Sequence, residues 1–88
     1  MNNQQLIDQI SVQFASDACD ANIRLIKNID NEAYEDAALY RDYIKNLIKY
    51  TATMLINISK VASKEQVVTL LEKENAYIYN ELIKEKNK

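Results

Sequence analysis

Five acidic residues stand close together in the second quarter of the chain, and carboxylates this close in sequence could coordinate a divalent cation. They are Asp30, Glu32, Glu35, Asp36 and Asp42. Helical bundles that hold two metal ions through carboxylates also use Glu-x-x-His pairs, and the chain contains no histidine. We therefore interpret these acids as residues at the start of a helix, where the helix dipole favours negative charge, and we predict no metal site.

Catalysis would have to proceed without the residue types that most active sites use. The lack of histidine removes the commonest general base and the triads that depend on it. The lack of glycine removes glycine-rich loops that bind phosphate. The single cysteine, Cys19, could be a redox thiol, but on a helix among alanines it more often packs as a small hydrophobic residue. The sequence therefore predicts no catalytic residue, no cofactor and no enzymatic activity.

Six tyrosines offer rings against which a partner could stack or pack. They are Tyr34, Tyr40, Tyr43, Tyr50, Tyr77 and Tyr79. Single-stranded nucleic acid stacks on aromatic rings inside a basic groove, but here 11 basic residues are interleaved with 13 acidic ones and the net charge is −2. Tyrosine is also enriched at protein interfaces. Tyr43, Tyr50 and Tyr79 lie off the predicted core stripes, so we predict that they contact a partner, with simple surface exposure as the alternative.

Helices must position these side chains, because the chain has neither glycine nor proline. A sheet protein of this size needs several tight turns built on those residues, whereas long helices joined by short polar links need almost none. Apolar residues recur three and four positions apart, as on one face of a helix. The predicted core stripe of the first helix is Ile7, Ile10, Phe14, Ala18, Ala21 and Leu25, and that of the third, which includes one polar residue, is Val68, Leu71, Asn75, Ile78 and Leu82. We predict a single all-α domain over residues 1–88, an up-down-up bundle of three long helices over about residues 4–28, 32–61 and 64–86.

The second predicted helix has the most regular apolar pattern. Its steps alternate between three and four residues, as in the seam of a coiled coil: Ala37, Tyr40, Ile44, Leu47, Thr51, Met54, Ile58 and Val61. A chain of 88 residues buries a limited share of its surface, which favours association of two copies as a homodimer. Asn75 occupies a core-type position of the third helix, where it would fix the packing register or lie at the rim of the bundle.

Both links between helices contain start signals. Asp30 or Asn31 can accept hydrogen bonds from the free N–H groups that open the second helix. Ser63 and Gln66 have the spacing of a capping box, in which the two residues satisfy each other's backbone N–H groups. We therefore predict that the second helix begins just after Asn31 and the third just after Ser63.

Residues 31–47 resemble the UVR motif, a short helical hairpin found in subunits of bacterial nucleotide-excision repair, in some Clp-type ATPases and in arginine-kinase activators. The matching residues are Tyr34, Glu35, Ala37, Ala38, Arg41, Asp42, Ile44 and Leu47. The family usually has Asp before the aromatic residue, where this chain has Ala33. The resemblance implies a hairpin that docks on another protein, with close helix approach at the two alanines and charged hydrogen bonds from Arg41 and Asp42.

The leading hypothesis is a small helical module that binds another protein, as an adaptor, a subunit or an inhibitor, through its second helix and tyrosines. The alternative is a nucleic-acid-associated dimer that groups Lys45, Lys49, Lys60 and Lys64. The absence of a long apolar run, the polar start and the lone cysteine favour a cytoplasmic protein without a membrane partner. Abundant Asn, Ile, Lys and Tyr are typical of an A+T-rich gene and favour a bacterial or phage accessory protein.

Overall fold

The computed structural model describes residues 2–60 and 63–88, and within them the chain forms helices α1 (Asn3–Asp30), α2 (Tyr34–Ser59) and α3 (Lys64–Lys86). Each helix packs against the other two, in a body measuring 43 × 26 × 20 Å. Lys86 at the end of α3 forms an ion pair with Asp30 at the end of α1. Because these two helices end at the same side of the molecule, the predicted all-α, up-down-up bundle is confirmed; the structure describes a single copy.

Capping boxes open α1 and α3. In α3 the backbone N–H of Gln66 donates to Ser63 Oγ at 3.1 Å, and the backbone N–H of Ser63 donates to the side-chain Oε1 of Gln66 at 3.2 Å, as predicted. In α1 the same arrangement joins Asn2 and Gln5, at 2.8 and 3.1 Å. This places the start of α1 at Asn3, one residue before the predicted start, because Asn2 followed three positions later by Gln5 is itself a capping signal.

The predicted cap of α2 by Asp30 or Asn31 is wrong. α1 continues through Asp30, Asn31 is its C-cap, and α2 begins at Tyr34 after Ala33, which makes no side-chain cap. The Ala33 amide donates to Asn28 O at 2.8 Å and the Glu32 amide to Ile29 O at 3.0 Å. This is a Schellman motif, which satisfies the last carbonyls of α1 and so extends the helix past its predicted end at Asn28.

The Schellman motif holds Glu32 in the left-handed region, with φ 59°, where glycine is the usual residue. That conformation costs a residue with a Cβ roughly 1–2 kcal/mol, and replacement by glycine would remove this cost. The greater freedom of glycine in the unfolded chain would cancel about 0.4–1 kcal/mol of the stability gained in this way. We expect Glu32→Gly to raise the free energy of unfolding by roughly 0.5 kcal/mol, measured by urea denaturation.

A matched control for Glu32→Gly is Glu74→Gly, at an exposed position inside α3. There glycine replaces a good helix former and should lower the free energy of unfolding by about 0.8–1 kcal/mol. If both variants lose stability, the left-handed conformation of Glu32 is not a source of strain.

The hydrophobic core lies where the three predicted stripes meet, and it is wider than those stripes. Its buried residues are Phe14, Ala18, Ala21, Leu25, Ala37, Ile44, Ile48, Ala52, Val67 and Leu71. Ile48, Ala52 and Val67 lie outside the predicted stripes, because each helix faces two neighbours and therefore buries a second row of residues. Ala37 is buried whereas Ala38 is exposed, so only the first alanine of this pair permits close helix approach.

The predicted seam of α2 is confirmed in its first half and corrected at its end. Ile44 and Thr51 are buried and Leu47 is half-buried against the core. Met54 is exposed, and α2 ends at Ser59, where Lys60 adopts a left-handed C-cap. Val61, the last predicted seam residue, lies outside the described residues. Among those residues, none of the helices combines the length and the apolar character needed to cross a bilayer.

Candidate functional site

The outer side of the bundle between α1 and α2 carries three adjacent depressions, of about 500, 270 and 330 Å³. The first two share Tyr40 and Tyr43, and the second and third share Asp17, so the three form one furrow, here named the α1–α2 groove. Its lining residues on α1 are Gln9, Ile10, Gln13, Phe14, Asp17, Asp20, Ala21, Arg24 and Asn28. Its lining residues on α2 are Asp36, Leu39, Tyr40, Tyr43, Leu47, Thr51 and Met54.

The α2 wall of this groove exposes large apolar side chains. Leu39 is 67% exposed, Tyr43 49% and Met54 40%, while Tyr40 and Leu47 pack partly against the core. These residues follow each other at helical spacing, so the regular pattern of α2 that builds the core also aligns its outer edge. Contiguous exposed apolar surface with a polar rim marks interaction sites on soluble proteins.

The rim of the α1–α2 groove is mainly acidic. Asp17, Asp20 and Asp36 line it against one cation, Arg24. The Arg24 guanidinium lies 3.5 Å from the carboxylate of Asp20, four residues earlier on α1. Hydrogen bonding to Tyr40 and then the charge of Asp20 raise the pKa of Arg24 above its ordinary value, so this side chain stays cationic. The carboxylate of Asp17 accepts a hydrogen bond from Gln13 at 2.9 Å.

A second furrow, here named the α2–α3 groove, opens between α2 and α3 with α1 at its floor. This open groove has a volume of about 390 Å³ and is lined by Asn22, Leu25, Arg41, Ile44, Lys45, Ile48, Glu72, Asn75 and Tyr79. The side-chain amide of Asn22 on α1 donates to Asn75 Oδ1 on α3 at 2.7 Å. Asn75 is half-buried. Because its hydrogen bond to Asn22 joins α3 directly to α1, it can fix the position of one helix against the other.

The predicted partner-contact residues do not form one surface. Tyr43 lies in the α1–α2 groove, whereas Arg41 and Tyr79 line the α2–α3 groove. Tyr79 packs partly against the core. Tyr50, 74% exposed, and Asp42, also exposed, line neither groove. A role for these five residues in binding stays a prediction, and the structure divides them among different faces of α2 and α3.

Sequence reasoning missed several residues of both grooves. Leu39 and Met54 belong to the exposed edge of α2, and Asp17 is half-buried at the centre of the first groove. The spacing of Leu39 and Tyr43, one helical turn apart and off the core stripe, is the signal that could have identified this edge. Asn22 could have been identified by its spacing of four from Ala18 and three from Leu25 on the buried face of α1.

The groups considered for metal and thiol chemistry are separated or enclosed. In the part of the chain that the structure describes, no three His, Cys, Asp or Glu side chains meet as a metal site would require. Asp30 of the acidic cluster pairs with Lys86, and Asp36 lines the α1–α2 groove. Cys19 is half-buried, less enclosed than the prediction of a core residue implied.

No protein family, curated protein sequence or solved structure matches the chain. The resemblance of residues 31–47 to the UVR motif therefore stays a prediction.

Proposed function

We propose that this protein is a binding module without enzymatic activity, and that its α1–α2 groove holds an amphipathic helix of another protein. The observation that carries this proposal is the continuity of the groove together with the exposure of Leu39, Tyr43 and Met54 along one wall. Amphipathic helices bind apolar grooves through residues spaced three and four apart. Such a module would act as an adaptor, a subunit or an inhibitor.

The length of the groove matches a helix of moderate size. Its α2 wall extends from Asp36 to Met54, which at about 1.5 Å per residue is roughly 27 Å. A partner helix of about five turns would cover this length. Tyr43 lies near the middle of the wall, where interface residues contribute most to affinity.

The acidic rim favours a basic partner and opposes a symmetric pairing. A helix with Lys or Arg beside its apolar stripe would place those cations near Asp17, Asp20 and Asp36. In a two-fold dimer the same patch occurs on both subunits, so two α1–α2 grooves facing each other would bring like charges together. We therefore propose a different protein as the occupant, and the predicted homodimer would have to use another surface.

Synthetic helices test this proposal directly. We expect an 18-residue peptide of about five turns, with a leucine stripe flanked by lysines, to bind the protein, measured by fluorescence anisotropy. The same peptide with glutamates in place of the lysines should bind at least about tenfold more weakly. Equal binding of both peptides, or no binding of either, would contradict the proposal.

Tyrosine variants locate the binding surface. Tyr43→Ser should weaken binding of the lysine peptide by about tenfold or more, as expected for an aromatic anchor. Tyr77→Ser removes a tyrosine of comparable exposure from α3 and should leave the affinity unchanged. Because both side chains are largely exposed, both variants should fold; equal affinities for the two would place the binding surface elsewhere.

The alternative function, nucleic-acid binding by a dimer through Lys45, Lys49, Lys60 and Lys64, makes an opposite prediction. Binding carried by phosphate contacts weakens steeply as salt rises. Labelled single-stranded and duplex DNA and RNA should therefore show salt-dependent binding if this alternative holds. We expect no binding at low salt, because the acidic residues outnumber the basic ones.

A further inference from the structure

The charged residues of the α1–α2 groove lie towards one of its two ends. Asp36 lines the depression nearest the start of α2, and Asp20 lines the middle depression together with Arg24. The depression beside Met54 has a single charged lining residue, Asp17, which also lines the middle depression. The groove therefore has an acidic end, beside Asp36, and a neutral end, beside Met54.

The negative charge that is left without compensation is largest at the acidic end. Asp20 is paired with Arg24 at 3.5 Å, and Asp17 accepts a hydrogen bond from Gln13 at 2.9 Å. Asp36 is exposed, and within residues 2–60 and 63–88 it forms no ion pair. The dipoles of α1 and α2 do not reverse this difference, because the C-terminus of α1 and the N-terminus of α2 lie at the same end with partial charges of opposite sign.

A helix that enters this groove is itself polar along its axis. Its N-terminus carries about +0.5 elementary charge and its C-terminus about −0.5, and its first four N–H groups have no partner within the helix. Carboxylates stabilise a helix N-terminus and destabilise a helix C-terminus. A groove with an acidic end and a neutral end therefore favours one of the two directions in which a helix can lie in it.

We propose that the partner's helix lies parallel to α2, with a basic first half at the acidic end of the groove and an uncharged second half at the neutral end. Its N-terminus and its Lys or Arg side chains lie near Asp36 and Asp20. Its second half packs on Ile10 and Met54, which line the neutral end. This direction rests on the helix-binding function proposed above, and it narrows the partner to helices whose cations precede their uncharged half.

Two peptides of about 18 residues and identical composition test the direction. Both carry a leucine stripe; one has lysines beside the stripe in its first half and glutamines in its second, and the other has the two halves exchanged. Both are stapled on the face opposite the leucines, so that their helix contents are equal. We expect the peptide with N-terminal lysines to bind the full chain about two- to fivefold more tightly. A nitroxide at its N-terminus should broaden the amide NMR signal of Leu39 much more than that of Met54.

The possible outcomes distinguish the direction of the helix from helix binding itself. Stronger broadening at Met54 or equal broadening at Leu39 and Met54 would overturn the direction and leave helix binding intact. Equal affinities of the two peptides, or tighter binding of the peptide with C-terminal lysines, would do the same. No binding of either peptide would contradict the helix-binding function, and the direction with it.

Two neighbouring acids in the first turn of α2 provide matched variants. Asp36→Asn should weaken binding of the peptide with N-terminal lysines by about two- to fivefold, the usual size of an exposed ion pair. Glu35→Gln removes the same charge one residue earlier in that turn. Because Glu35 does not line the groove, this variant should leave the affinity unchanged. Equal effects of the two variants would mean that the peptide responds to net charge alone, and would overturn the proposed direction.

Discussion

Replacing Ile44 with aspartate is expected to unfold most of the protein. Ile44 is 6% exposed and belongs to the core cluster. Removing a buried isoleucine side chain typically costs about 2–5 kcal/mol, and the desolvated carboxylate adds several kcal/mol more. The total approaches the stability of an ordinary domain, about 5–15 kcal/mol. Circular dichroism during thermal melting should show a large loss of helix and a much lower midpoint for Ile44→Asp.

The free energy of unfolding of the Ile44→Asp variant should also depend on pH. Burial raises the pKa of a carboxyl above its unfolded value, so the folded state binds more protons and stability falls as pH rises. The loss of stability should therefore begin near the ordinary aspartate pKa of about 3.9 and increase towards neutral pH. Asn46→Asp, at an exposed position of α2, should change stability by less than about 0.5 kcal/mol. An Ile44→Asp protein that melts like the parent would mean that Ile44 is not in the core.

The apolar periodicity of the sequence was sufficient to predict the three helices, their order and most of the core. The prediction of α2 was correct because the stripe through Ile44 and Leu47 has one regular spacing along a helix that is unbroken from Tyr34 to Ser59. The end of α1 was mispredicted for a physical reason. A Schellman motif is usually indicated by glycine, and in this chain Glu32 adopts the left-handed conformation instead, so the sequence signal was absent.

The two grooves were less predictable than the core, because they depend on how the helices are rotated against each other. The periodicity of α2 indicates which residues are buried, but not which neighbouring helix each one faces. Arg41 and Tyr43 are two residues apart, yet Arg41 lines the α2–α3 groove and Tyr43 the α1–α2 groove. Likewise, the hydrogen bond between Asn22 and Asn75 joins residues 53 positions apart, and no local pattern pairs them.

Breaking the Asn22–Asn75 hydrogen bond from one side is expected to destabilise the bundle. Asn75→Leu removes the acceptor of a 2.7 Å bond and leaves an N–H of the buried Asn22 without its partner. An unsatisfied buried donor costs about 1–3 kcal/mol, so the free energy of unfolding in urea should fall by roughly that amount. Asn80→Leu changes an exposed asparagine of α3 in the same way and should have a much smaller effect.

The double variant Asn22→Leu/Asn75→Leu distinguishes the cost of the unpaired group from the value of the bond. Replacing both partners with apolar residues leaves no polar group stranded and can be nearly neutral, so the double variant should be more stable than Asn75→Leu alone. The deviation from additivity should be about 0.5–3 kcal/mol. Losses that simply add would show that the two amides are not coupled in the folded protein.

The same double variant should lose the uniqueness of its packing while it keeps its stability. A buried asparagine can fix helix register at a cost in stability, and apolar cores without such a contact lose a single well-ordered arrangement before they lose stability. We therefore expect broadened or doubled amide NMR signals along α3 in the double variant, at a melting temperature close to that of the parent. A single sharp set of signals would mean that Val67 and Leu71, the buried residues of α3, are sufficient to fix its register without Asn75.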